Sequence, residues 1–273
     1  LAFAVRAAGR RVLYQPAARV VHDEGTSSGT DTSSGVKANQ ARNREVFLAH
    51  RREALAALPA PHEPSPASLH RGRRQVLVID ALTPQPDRDS GSLRLVNLMR
   101  LLREEGAHAV FLPADLKHAD AYTQALQALG NETWHAPFVG GIPAWLREHG
   151  PRFDSVIACR HYVARSFLPL LREYAPQARI VFDTIDLHYL RERRGAQVAG
   201  DAAALRAAEA TRTRELAAMA AVDLTLVVST HEQAQLAVDA PAARVEVLSN
   251  LHEVAGPGAD FDARADLVFV GGF

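Results

Sequence analysis

Gln75-Val-Leu-Val-Ile-Asp80 decides the fold. Apolar residues that run without alternation face a covered environment on both sides. That is the pattern of a parallel strand buried between two layers of helices. The residues beyond it repeat the theme. Leu95, Leu98, Met99 and Leu102 fall at helical spacing and predict a helix over 92–105. A strand is expected over 107–112, a helix over 120–129, and a short strand around Trp134. Pro143 opens a short helix to His149. The alternation continues as strand 154–159, helix 163–174, strand 179–183, long Ala/Arg/Glu helix 201–221, strand 223–229, helix 232–238 and strand 245–248. These elements predict an α/β fold, a doubly wound parallel sheet of Rossmann-like type. In such sheets ligands bind beyond the carboxyl ends of the strands.

Outward from this core the composition changes. Pro59-Ala-Pro-His-Glu-Pro-Ser-Pro-Ala-Ser68 is rich in proline and small residues, so 57–74 reads as a linker. The linker closes on the basic residues Arg71, Arg73 and Arg74. Residues 1–56 form a short α+β piece, too small to be expected as a full domain. A helix is expected to stop at Gly9, with strands at 11–14 and 19–22, a Gly/Ser/Thr loop over 23–35 and a charged helix over 37–58. Val12, Val20 and Val21 are expected to be exposed there. At the other end, Asp266-Leu-Val-Phe-Val-Gly-Gly-Phe273 reads as a strand running into a glycine turn, the opening of a further domain. The expected division is 1–56, 57–74, 75–265 and 266–273, with both flanking pieces incomplete.

Bulk properties narrow the function. The 273 residues are 47% hydrophobic, enough for a core. Lys plus Arg equals 31 and Asp plus Glu equals 31, so the formal net charge is zero and no nucleic-acid partner is expected. One cysteine, Cys159, excludes an internal disulfide. No apolar run approaches the roughly 18 residues of a membrane span. A cytoplasmic setting is expected, with peripheral contact at the inner face of the membrane allowed.

Three stretches, and the end of one further strand, carry candidate chemistry. The loop 81–91 is long for a strand-to-helix connection. Gly91 lets backbone approach a ligand, and the helix start at Ser92 suits a phosphate, with Ser90 or Ser92 as helix cap. It is neither a GxGxxG nor a P-loop, which disfavours dinucleotide epimerases and dehydrogenases. The second stretch is Asp183-Thr-Ile-Asp186-Leu-His188. Two carboxylates and a histidine follow a central strand, where acid/base or substrate-orienting groups belong. Arg191, Arg193 and Arg194 come next and could pair with phosphate. Cys159-Arg160-His161 also ends a strand. There Cys159 reads as a packed core thiol and Arg160 as a contact across the cleft. The third stretch, His22-Asp-Glu-Gly25, could ligate a divalent metal.

These residues resemble two glycosyltransferase families. Residues 75–273 are similar to the N-terminal domain of a family-4, GT-B fold enzyme, followed by the first strand of its C-terminal domain. The resemblance rests on Val76–Asp80 with Asp89-Ser-Gly-Ser92, on Asp183 to Arg193, and on Glu215-Leu. It continues through Ala221–Leu224, Val228-Ser-Thr-His-Glu232, Val247–Asn250 and Phe269–Phe273. Residues 1–56 resemble the tail of a family-2, GT-A fold enzyme of the rhamnosyltransferase type. That likeness is carried by Val5-Arg with Ala8-Gly9, Tyr14-Gln-Pro16, Val20-Val-His22 and Ser33–Lys37.

The resemblance implies sugar transfer from a nucleotide-sugar donor to a glycan or lipid-linked acceptor in bacterial cell-surface polysaccharide synthesis. It implies Gly91 and Ser92 near the donor diphosphate and His188, with Asp186, at the reacting sugar. Arg160 and Asp183 would contact donor or acceptor. No cofactor is implied for the family-4 part. A divalent metal, with His22 near it, is implied only for a complete family-2 domain. The metal motif and catalytic carboxylate of family 2, and the paired glutamates of family 4, are expected outside 1–273, so the segment itself is expected to be inactive. The competing expectation is a non-catalytic α/β binding or scaffolding module, with the arginine-rich helix from Asp201 as its interface.

Overall fold

The computed structural model describes residues 1–10, 12, 18–21, 38–56, 58, 70, 72–254 and 256–267. The chain divides into two compact units, Leu1–Pro64 and Ser65–Phe273.

The first unit contains α1 (Ala2–Ala7), α2 (Asn39–His50) and α3 (Arg52–Ala56), none with a buried residue. The single helix expected over 37–58 is interrupted at Arg51, whose φ of −120° leaves the helical range. Val12, Val20 and Val21 are exposed. Residues 19–21 form no strand, contrary to expectation, while the rest of that prediction and most of 11–14 lie outside the described residues. So does most of the expected terminal strand; Asp266 and Leu267 are not in one.

The second unit realises the alternation. In order come β1 (Gln75–Asp80), α4 (Ser90–Glu104), β2 (His108–Pro113), α5 (Asp120–Ala128), β3 (Glu132–Thr133), α6 (Ile142–His149) and β4 (Ser155–Cys159). Next are α7 (His161–Tyr174), β5 (Arg179–Asp183), α8 (His188–Ala199), α9 (Ala202–Ala220), β6 (Leu224–Val227), α10 (Thr230–Asp239) and β7 (Val245–Val247). The seven strands lie in the order β3-β2-β1-β4-β5-β6-β7, and every pairing is parallel. The fold is therefore an α/β, doubly wound, Rossmann-like sheet. The order reverses between β1 and β4, which makes their carboxyl ends the switch point where a crevice opens.

Strand residues divide between the faces with period two. Leu77, Ile79, Val110, Leu112, Val156 and Ile180 pack under Trp145 and Leu146 of α6 and Phe167 and Leu171 of α7. Val76, Val78, Phe111, Ile157 and Val181 pack under Leu95, Leu98 and Met99 of α4 and Leu126 of α5. Beyond them, Phe182, Tyr189, Leu190 and Met219 join α8 and α9 to the first face. Leu77, Ile79 and Val110 are wholly buried. Each such side chain stabilises the fold by about 1.5–3 kcal/mol.

Two local details differ from the sequence-based expectation. The cap of α4 is Asp89, not Ser90 or Ser92. Its Oδ1 accepts the Ser92 N–H at 2.8 Å and its Oδ2 the Ser92 hydroxyl at 2.7 Å. A carboxylate outcompetes a serine there because it bonds one residue twice and complements the helix dipole. The second detail is α8, unassigned by periodicity. Four consecutive residues of its twelve, Arg191 to Arg194, are charged and interrupt any apolar stripe, and Gly200 closes it with φ of +66°.

Candidate functional site

Between the ends of β1 and β4 lies a cleft of about 310 Å³. Asp80, Thr83, Arg88, Ser92, Arg160 and Tyr162 line it. Asp80 ends β1 and is buried; Arg160 follows β4 and donates Nε–H to Asp80 Oδ1 at 2.8 Å. The same oxygen accepts the Ala81 N–H at 2.7 Å. Burial pushes the Asp80 carboxyl above the usual carboxylate range, and Arg160 only partly reverses it. For Arg160, burial pulls down and Asp80 pushes up, and the carboxylate wins.

The backbone at this margin is strained. Arg160 sits at φ +70° and Ile185 at φ +64°, a region that β-branched residues avoid. Ile185 presses its Cγ2 toward Gly91, where an added Cβ would come within 2.8 Å of it. Gly91 is therefore needed for close approach between α4 and the β5–α8 loop. Strain of this kind persists only where surrounding structure enforces it, and it gathers at working sites.

Asp183, expected to touch a ligand, is instead fully buried. Its Oδ2 accepts Arg94 Nη1 at 2.5 Å and its Oδ1 the Ile185 N–H at 3.3 Å. Arg94, itself 1% exposed, also donates to the carbonyls of Leu248 and Ser249. This pair locks α4, the end of β5 and the chain after β7 together. Asp186 is half-buried beside Arg191, with which its carboxylate pairs.

His188 begins α8 and is 6% exposed, more buried than expected of a cleft side chain. Its Nδ1 lies 3.1 Å from the Asp186 carbonyl. A carbonyl only accepts, so Nδ1 carries a proton; the Glu215 and Asp186 carboxylates face the same nitrogen at 3.5 and 3.6 Å. The amide N–H groups of His188 and Tyr189 donate to the wholly buried Glu215 at 3.2 and 3.1 Å. Glu232 accepts from Leu187 and Val228 at 3.1 and 3.0 Å. Two glutamates distant in sequence thus hold the start of α8. The His161 ring stands 5.1 Å from His188, and that of Tyr162, which reaches into the cleft, 6.2 Å.

Cys159 is wholly buried, and burial first, then Asp80 and Asp183, push its thiol well above the ordinary value. Native protein should resist alkylation by iodoacetamide at pH 8 and react stoichiometrically after denaturation; rapid native labelling would contradict the assignment to the core. His22 lies outside the described residues.

The structure thus brings Ser92 and Arg160 to one cleft, with Gly91 directly behind it and His188 linked through Tyr162. It removes Asp183 to the supporting layer. Sequence reasoning did not single out Asp80 as a site residue, nor Arg94, Tyr162 or Glu215. Arg94 had a legible signal: it precedes Leu98 by four, on the apolar stripe of α4, so an arginine there must be buried and paired.

No family model and no curated protein matches the chain. Among solved structures it is similar to sucrose-phosphate synthase from Thermosynechococcus elongatus. The identity is 13% and the TM-score 0.43, over 65% of this chain and 48% of that one. The chain thus spans about half the length of that enzyme. A second chain of the same enzyme aligns at 12% identity and TM-score 0.36, over 64% of this chain and 88% of that one. The 3-dehydroquinate dehydratase from Aquifex aeolicus VF5 aligns at 13% identity and TM-score 0.22, over 68% and 91%. All three TM-scores lie below 0.5.

Proposed function

We propose that the second unit is the N-terminal α/β domain of a family-4 glycosyltransferase, working in bacterial cell-surface polysaccharide synthesis. In this reading the full-length protein moves a sugar from a nucleotide-sugar donor to a glycan or lipid-linked acceptor, with the anomeric configuration retained. One observation carries it. Stretches that resemble the family, far apart in sequence, support one another at a single margin of the sheet. Glu215 and Glu232 hold the start of the His188 helix, and Ile185 of the Asp183–His188 stretch packs on Gly91.

The chemistry at that margin fits. Ser90 and Gly91 stand in the first turn of α4, where amides have no intrahelical acceptor. These amides and Arg88 suit a departing diphosphate better than Ser92, whose N–H Asp89 already holds. In this reading His188 is neutral with its proton on Nδ1, and Nε2 accepts a bond from a sugar hydroxyl. The protein's share of catalysis is positioning and stabilising the leaving group, and the family-4 step calls on no metal.

A specific observation also favours the scaffolding alternative. Asp80, Asp183 and Asp186 are each already paired with an arginine. The test is to incubate full-length protein with a panel of nucleotide-sugars and lipid-linked acceptors and follow nucleoside diphosphate release with product formation. Transfer that falls at least tenfold in Arg160→Met supports the reading. Absence of both transfer and saturable nucleotide binding leaves the scaffold.

A further inference from the structure

At the opposite, amino-end margin of the sheet lies a second polar cluster that the cleft does not use. His108 opens β2 and Glu132 opens β3. Parallel pairing sets Glu132 against Val110, two residues beyond His108, so both side chains leave the same face. His108 Nε2 lies 2.8 Å from Glu132 Oε2. His70, on the turn ahead of β1, stacks on His108 with ring centroids 3.4 Å apart. One ligand atom from each of the three lies within 4.8 Å of the others.

The surroundings resemble the outer layer of a metal site. Arg152 pairs with Glu132 through both oxygens, Nη2 donating to Oε1 at 2.5 Å and Nη1 to Oε2 at 3.2 Å, and the indole N–H of Trp134 also donates to Oε1; this fixes the carboxylate with Oε2 beside His108 as well as Arg152. Gln75 is the neighbour of His108 across the β1–β2 ladder. It buries its Oε1 without a hydrogen-bond partner among the described residues.

We propose that His70, His108 and Glu132 bind a divalent transition-metal ion of the zinc class, clipping the segment ahead of β1 to the sheet. Two imidazoles and one carboxylate are a zinc-type set, leaving a fourth position for water or for the amide oxygen of Gln75. Arg152 and Trp134 act as the outer hydrogen-bonding partners of the ligating carboxylate. The stacked rings do not converge on one point, since their planes lie 14° from parallel. Metal entry therefore turns the half-buried His70 from the face of His108 toward its edge. The positive charge of Arg152 opposes the ion, so affinity is expected in the micromolar range rather than tighter.

The test is calorimetric titration of the whole chain with Zn²⁺, and Co²⁺ titration for its visible ligand-field bands. One equivalent should bind, and His70→Ala and His108→Ala should each weaken binding tenfold or more. His118→Ala should bind as the parent does, although His118 also stands by a carboxylate, 3.6 Å from Asp120. Circular dichroism and thermal melting establish that the variants fold. His70 lies outside every strand and helix, so His70→Ala keeps the test decisive if His108→Ala does not fold. Zinc should also raise the melting temperature of the parent and not that of His70→Ala. No saturable zinc binding, or unchanged binding by His70→Ala, overturns the site.

Discussion

Asp183→Ala should lower the unfolding free energy by about 3–5 kcal/mol, and Arg94→Met by a similar amount. The expectation comes from burial. The two side chains are 0% and 1% exposed and meet at 2.5 Å. Removing either leaves the other charged in a place without water. The double variant Arg94→Met/Asp183→Leu should cost clearly less than the sum of the singles, because neither charge is then stranded. It should not be neutral: the carbonyls of Leu248 and Ser249 lose their donor and the Ile185 N–H its acceptor. Urea midpoints of the four proteins check this, and additive losses would show that the pair is not coupled. A less stable Arg94 variant should also expose the chain after β7 to proteolysis first, since Arg94 and Asn97 bond to Leu248, Ser249 and Leu251.

The fold was legible because its signals are local. Each buried strand is an apolar run, and each helix of the second unit but one shows either an apolar stripe or, over Ala202–Ala220, an Ala/Arg/Glu-rich helix-forming composition, so the order of elements and the parallel sheet could be read directly. The exception is instructive. Helix α8 has Tyr189, Leu190 and Ala196 buried among arginines, and its start is held by Glu215 and Glu232, at least 26 residues away in sequence. No local window contains that information. The same limit governed the site. Gly91, Ser92 and Arg160 were placed by the rule that loops at strand ends carry function. Asp183 obeyed that rule in position but not in role, because an arginine from another helix claims its carboxylate. Which of two polar groups faces solvent and which faces a partner is decided by tertiary contacts. An arginine on an apolar stripe is the one place where sequence announces such a contact.

In full-length protein, His188→Ala should lower the turnover of sugar transfer tenfold or more, corresponding to about 1.4 kcal/mol of transition-state stabilisation. The buried setting of His188 makes alanine alone ambiguous, since it also removes the Nδ1–H bond to Asp186 and leaves a small cavity. That loss should cost about 1–2 kcal/mol of stability. His188→Asn separates the two roles. Its amide nitrogen can take the place of Nδ1 and restore the bond to the Asp186 carbonyl, but nothing replaces Nε2. If the Nε2 lone pair serves the substrate, the asparagine variant should recover stability and remain as slow as alanine per folded molecule. If His188 only secures the start of α8 beside Glu215, turnover should recover together with stability. The asparagine variant therefore decides between a group that touches the sugar and one that positions the helix, and recovery of both quantities would take His188 out of the chemistry.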